Sequence, residues 1–145
     1  MRVVLDTNIL TRVPASPHGP AGELFDRLRS DHLLVNSSEL LAELARVLGY
    51  DRLRKIHGLN DAAIEDFVEH VEAGSFLVAL PDSLPRVVPD DADDDAVIAT
   101  AIVGHANVIC TRNRHLFHVD VLVCCREHEI RVLSDVELLA ELRSG

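Results

Sequence analysis

Short apolar runs rich in Val, Leu and Ile alternate along this chain with longer segments in which apolar residues recur at helical spacing. Strands of a parallel sheet are covered on both faces and read as continuous apolar runs, whereas the helices covering them keep one polar face. The alternation predicts an α/β fold, a three-layer α/β/α sandwich around a central, mainly parallel sheet of about five strands. The candidate strands are "RVVLD" from Arg2, "LLVN" from Leu33, "FLVAL" from Phe76, "NVICT" from Asn107 and "IRVL" from Ile130. Helical spacing covers residues 21–30, 38–48, 61–73, 94–104 and 135–142. Ser37 or Ser38, Asn60 and Ser134 stand where side-chain oxygens cap orphan amides, and Gly74 and Gly104 suit helix ends. "PASPHGP" and "PDSLPRVVP" read as loops, because proline lacks an amide donor and disfavours helix in the residue before it. Residues 117–129, with "VDVLVCC", fit either a strand or a buried turn, and periodicity does not separate the two.

A length of 145 residues with 48% hydrophobic content suits one domain spanning residues 1–145 and one sizeable core. No stretch approaches the ~20 apolar residues of a membrane span, and the apolar run in "MRVVLDTNIL" is too short for a signal peptide, so a cytoplasmic protein without a membrane partner is expected. Cys110, Cys124 and Cys125 lie in apolar segments and read as core residues rather than as a disulfide framework. The net charge of -10 excludes broad affinity for nucleic acid through surplus Lys and Arg. It leaves room for a concentrated acidic site flanked by a few arginines.

Carboxylates then become the informative residues. Asp6 ends the first strand, at the side where open parallel sheets hold their ligands, although a polar turn explains one such Asp equally well. In "SSELLAELARVL" the apolar stripe runs through Leu40, Leu44, Val47 and Leu48, and Glu43 borders it while Glu39 and Arg46 face further outward. "DDADDDAVIATAI" places five aspartates within residues 90–95. With a helix starting near Asp94, Asp95 shares a face with Ile98, Ala99 and Ile102 and points inward. Asp93 or Asp94 serves as the cap, which explains one or two of the five through the helix dipole but not all of them. Like charges this close repel unless a cation offsets them, and a hard divalent ion held by oxygen ligands is the economical solution. Asp6, Glu43 and Asp95 are therefore expected to converge on an oxygen-only metal site. "HLFH" at His115 and His118 has no Cys or His pair elsewhere to complete a zinc set.

"VVLDTNIL", "SSELLAELARVL", "DDDAVIATAIVGHANVICTRNRHL" and "IRVLSDVELLAEL", in this order over nearly the whole chain, resemble a PIN-domain protein, and in particular the small bacterial PIN proteins that act as toxins in type II toxin-antitoxin pairs. The resemblance implies a Mg2+ or Mn2+ dependent ribonuclease with Asp6, Glu43 and Asp95 as catalytic, metal-binding acids and Asp93 as an auxiliary metal ligand. It implies RNA as substrate, products with a 5'-phosphate and a 3'-hydroxyl, a cognate antitoxin protein as partner, and a homodimer. The chain departs from the pattern at "TRNRHL", where relatives often carry a fourth acid and this sequence has Asn113 and His115. Asn8, Thr111 and Asn113 are expected to orient water or substrate, and Arg12, Arg112 and Arg114 to meet phosphate. Two readings compete: a PIN-fold binding module weakened by the missing acid, and a Mg2+-dependent phosphoryl-transfer domain with Asp6 as nucleophile. "LDTN" offers no second acid two residues on, which counts against the latter.

Overall fold

The structure, a computed structural model, describes residues 1–83 and 92–145, with the backbone alone for Ala92 and Asp93. Among the described residues five strands, β1 (Arg2–Leu5), β2 (Leu33–Ser37), β3 (Ser75–Val78), β4 (Val108–Cys110) and β5 (Arg131–Leu133), form one sheet in the order β3-β2-β1-β4-β5. Every pairing is parallel, with Val3 opposite both Leu34 and Val108, Val35 opposite Phe76, and Ile109 opposite Val132. All five strands coincide with the apolar runs. Between them lie α1 (Thr7–Leu10), α2 (Arg12–Ala15), α3 (Pro20–Asp31), α4 (Ser38–Leu48), α5 (Asp51–His57), α6 (Asp61–Ala73), α7 (Ala92–Val103), a 3-10 turn (Arg114–Phe117), α8 (Val119–Glu127) and α9 (Asp135–Ser144).

Side chains alternate across the strands, so the sheet divides two cores. Val3, Leu5, Leu34, Val108 and Cys110 pack with Leu24, Phe25 and Leu28 of α3, Leu44 and Leu48 of α4, and Leu138 and Leu139 of α9. Val4, Val35 and Ile109 face the other way, onto Val97, Ile98 and Ala101 of α7 and Val121 and Cys125 of α8. Helices on both faces of a parallel sheet make the expected α/β/α sandwich. Cys110 and Cys125 are buried in these cores and Cys124 is half-buried, all three as free thiols.

The caps act as local stops and starts. Ser37 accepts from the Leu40 amide at 3.4 Å, Asn60 from Ala63 at 2.8 Å, and Ser134 from Glu137 at 3.2 Å with the Glu137 side chain returning to the Ser134 amide. Between the two serines left open at the start of α4, Ser37 is the cap. The segment 117–129 is neither strand nor turn: its core is the helix α8, in which Val121 and Cys125, four apart, face inward while Val119 and Val123 face out. Part of "PASPHGP" belongs to α2 and α3, since Pro14 and Pro20 lie in first turns that need no amide donor. Of "PDSLPRVVP" only Pro81 to Ser83 fall within the described residues, and they form a bend. No helix among the described residues is long and apolar enough to cross a membrane.

Candidate active site

The chain turns back at β1: β2 lies on one side of it and β4, reached by a crossover from the far edge strand β3, on the other. Where strand order reverses like this, the loops at the carboxyl ends part and leave a crevice. Asp6 follows β1 and Thr111 follows β4, with the Asp6 amide donating to the Cys110 carbonyl at 2.9 Å. A cavity of about 970 Å³ opens there, lined by Asp6, Asn8, Glu43, Asp94, Asn113 and Asp135, with Arg12, Arg52 and Arg112 also on its wall and Leu53, Ile56 and Val136 at its apolar side.

A chain of hydrogen bonds ties the acids together. Asp6 caps α1, accepting from the Thr7 amide at Oδ1 (2.8 Å), and its Oδ2 accepts from the Thr111 hydroxyl at 2.7 Å. Thr111 Oγ1 in turn accepts from the Asn113 amide at 2.9 Å, and Asn113 Nδ2 donates to Asp94 Oδ2 at 2.7 Å. Asn113 Oδ1 accepts from the His115 amide at 3.0 Å, which fixes the orientation of the carboxamide. Asn8 closes the network by accepting from the Arg112 amide at 3.2 Å. Asp6, Asp94, Asp95, Thr111 and Asp135 are all buried, with Thr111 fully enclosed. Short charge-assisted bonds of this kind stabilise buried carboxylates that would otherwise strongly disfavour the fold.

The expected residues are thus sorted by the fold. Asp6, Glu43, Asn8, Arg12, Arg112 and Asn113 share the cavity wall, and Thr111 lies directly behind Asp6. Of the aspartate cluster, Asp95 is buried at 3% exposure as an inward acid and its neighbour Asp94 lies on the cavity wall. α7 begins at Ala92 rather than near Asp94. Residues 94–101 are all buried, so the helix has no single inward stripe from which phase can be read. The side chain of Asp93 lies outside the described residues. His115 and His118 shape local backbone, the latter accepting from the Asp120 amide at 3.2 Å and capping α8, and Arg114 opens the 3-10 turn outside the cavity wall. Two cavity residues carry no signal that periodicity registers: Arg52 stands on α5, a helix without a buried residue, and Asp135 is the first residue of α9, where an acid reads as a dipole partner.

Charge accumulation is felt by the neighbouring thiol. Burial, then the carboxylates of Asp135, Asp6 and Glu137, push Cys110 far above the usual thiol range. Asp135 and Asp6 thus act on one point at the end of β4. Among the described residues no three His, Cys, Asp or Glu side chains stand close enough to form a ready-made metal cage. The donor set nevertheless suits a hard cation, which takes oxygen ligands, retains several waters and needs only one or two carboxylates directly. Asp135 supplies a specific sign of this: its Oδ1 is buried and, among the described residues, accepts no hydrogen bond, while Arg112 Nε lies 3.5 Å away.

The family model of the PIN domain matches residues 2–115. Among solved structures, a chain of the crystal structure of VapBC2 from Rickettsia felis bound to a DNA fragment from their promoter superposes with a TM-score of 0.62 at 14% identity, covering 92% of this chain and 98% of that one. No curated protein matches the chain.

Proposed function

This chain belongs to the PIN-domain family, whose members are generally nucleases that typically use a divalent metal, and from that premise we propose that it is a Mg2+ or Mn2+ dependent ribonuclease. The observation that carries the reading is the composition of one cavity wall: Asp6, Glu43, Asp94 and Asp135 share it with Arg12, Arg52 and Arg112. Carboxylates gather a cation, and arginines grip phosphate bidentately, so the two sets together suit a phosphodiester rather than an acidic or apolar ligand. Asp6, Glu43 and Asp94 are the residues to hold the ion, with Asp95 and Asp93 next to them on α7. When bound, a divalent ion lowers the pKa of an attacking water and offsets charge on the phosphate and leaving oxygen.

The protein's own contribution is orientation. Thr111 holds Asp6 by its Oδ2, and Asn113 holds Asp94, so an acid at the end of β1 and one on α7 are kept in register by neutral donors. Asn113 occupies the position where a fourth carboxylate was expected, and it replaces mutual repulsion by a hydrogen bond. The presence of Arg12, Arg52 and Arg112 on the cavity wall supports a role for them in binding phosphates beside the scissile one.

The further expectations belong to the same proposal: one cytoplasmic domain, paired with a cognate antitoxin and self-associating as a homodimer. The VapBC2 structure is that of a toxin-antitoxin complex, and here Leu53, Ile56 and Val136 flank the acidic wall, an arrangement suited to a partner segment with apolar residues and one basic side chain. Cleavage of RNA by the antitoxin-free protein with Mg2+ or Mn2+, lost in chelator and in Asp6→Asn, tests the reading. A protein that retains partner binding and cleaves nothing under either metal would instead be the binding module.

A further inference from the structure

We propose that Asp135 is an additional acid of the cation site, taking up the charge that Asn113 does not supply, and that Arg112 is its counter-ion until a divalent ion arrives. The inference rests on the metal-dependent reading above. Asp135 is a cavity-wall residue at 6% exposure. A buried carboxylate ordinarily collects hydrogen bonds from amides or a bidentate guanidinium. Here Oδ1 accepts none among the described residues, and Arg112 approaches through Nε at 3.5 Å, too far for a good hydrogen bond. The Arg112 side chain is itself 42% exposed and its backbone amide is held separately by Asn8, so the side chain can leave without disturbing the loop.

Position supports the same role. Ser134 and Glu137 already satisfy the start of α9 through a reciprocal capping box, so Asp135 is not needed as the cap. Asp135 and Asp6 line the same cavity at the carboxyl ends of the strands. With a divalent ion bound, Asp135 would be one of the carboxylates holding it and would no longer need Arg112 as counter-ion. The Arg112 guanidinium, on the same wall, would then be available to an RNA phosphate, so cation binding and one phosphate contact would be coupled through Asp135 and Arg112.

Mn2+ titration of the full chain by calorimetry, without RNA, tests this, with thermal melts confirming that each variant is folded. Asp135→Asn is expected to weaken Mn2+ binding about tenfold or more. Arg112→Gln is expected to tighten it about threefold to tenfold, because a competing cation has gone, an opposite sign that misfolding cannot imitate. If Asp6→Asn abolishes Mn2+ binding while Asp135→Asn and Arg112→Gln leave it unchanged, the inference fails and the metal-site reading stands. If the wild type binds no Mn2+, both fail.

Discussion

Thr111→Val removes one oxygen and keeps the shape of the side chain, which isolates the hydrogen-bond network from the packing around it. Thr111 is fully enclosed, and its hydroxyl donates to Asp6 Oδ2 at 2.7 Å while accepting from the Asn113 amide at 2.9 Å. The Asn8 contact, at 3.5 Å, contributes little. Losing a hydrogen bond to a buried carboxylate costs about 1.5–3 kcal/mol, and stranding the half-buried Asn113 amide adds about 0.5–1 kcal/mol. The sum, about 2 to 4 kcal/mol, corresponds to a fall in Tm of roughly 6 to 15 °C for a chain of this size. Urea denaturation at neutral pH should show this loss with an unchanged slope. Thr111→Ser, which keeps the hydroxyl, should lose about 1 kcal/mol at most. The cleavage rate of Thr111→Val should fall about tenfold to a hundredfold, since Asp6 loses its orienting partner. A valine variant within about 0.5 kcal/mol of wild type and cleaving RNA at full rate refutes the proposed role of the network.

Other outcomes follow from separate parts of the molecule. Cys110, buried and ringed by carboxylates, should stay unmodified by a thiol reagent at pH 8 in the folded protein, whereas the half-buried Cys124 reacts first; mass mapping of the labelled chain checks this. Hydrogen bonds from Arg143, then Arg27, hold the Glu23 carboxyl at about 2 instead of 4.5. Its folded-state value is depressed, so its contribution exists above the ordinary carboxylate range and disappears as pH falls from about 4.5 towards 2. Glu23→Gln should therefore match wild type near pH 2 and be less stable at pH 7, by an amount that salt reduces because the pair is exposed. Gly22→Ala, nominally a better helix former, should destabilise by about 1–3 kcal/mol. A Cβ there meets the Pro17 carbonyl oxygen at 1.9 Å, and thermal melts report the result.

What could be read from the sequence depended on whether burial left a periodic trace. The strands were legible because β1, β2 and β4 are covered on both faces and each carries an uninterrupted apolar run, Val3 to Leu5, Leu33 to Val35 and Val108 to Cys110. α4 and α6 were legible to the residue, each having one inward stripe and a side-chain cap. α5 was not, because it buries nothing and its sequence "DRLRKIH" has no stripe. α8 was left open because "VDVLVCC" is a β-branched apolar run, and only packing against Val4 and Ile109 decides which residues turn inward. The site follows the same logic. Asp6 could be placed from the strand end, and Glu43 from the border of a stripe. Helical phase singled out Asp95 as the inward acid and left Asp94 as a cap, but residues 94–101 are all buried, so phase gave no sign that Asp94 lines the cavity. Asp135 gave no sign at all, because an acid at the start of a helix is ordinary until its oxygen is found without a hydrogen bond in a cavity with three other acids.

The most direct measurement is cleavage of a 5'-labelled RNA by the protein freed of any partner, in Mg2+, in Mn2+ and in excess chelator, beside Asp6→Asn. The account predicts products ending in a 3'-hydroxyl with downstream fragments bearing a 5'-phosphate, formed with either metal and absent both in chelator and in the variant. Equal cleavage in chelator, or by Asp6→Asn, would contradict it, as would a folded wild-type protein that cuts no RNA with either ion.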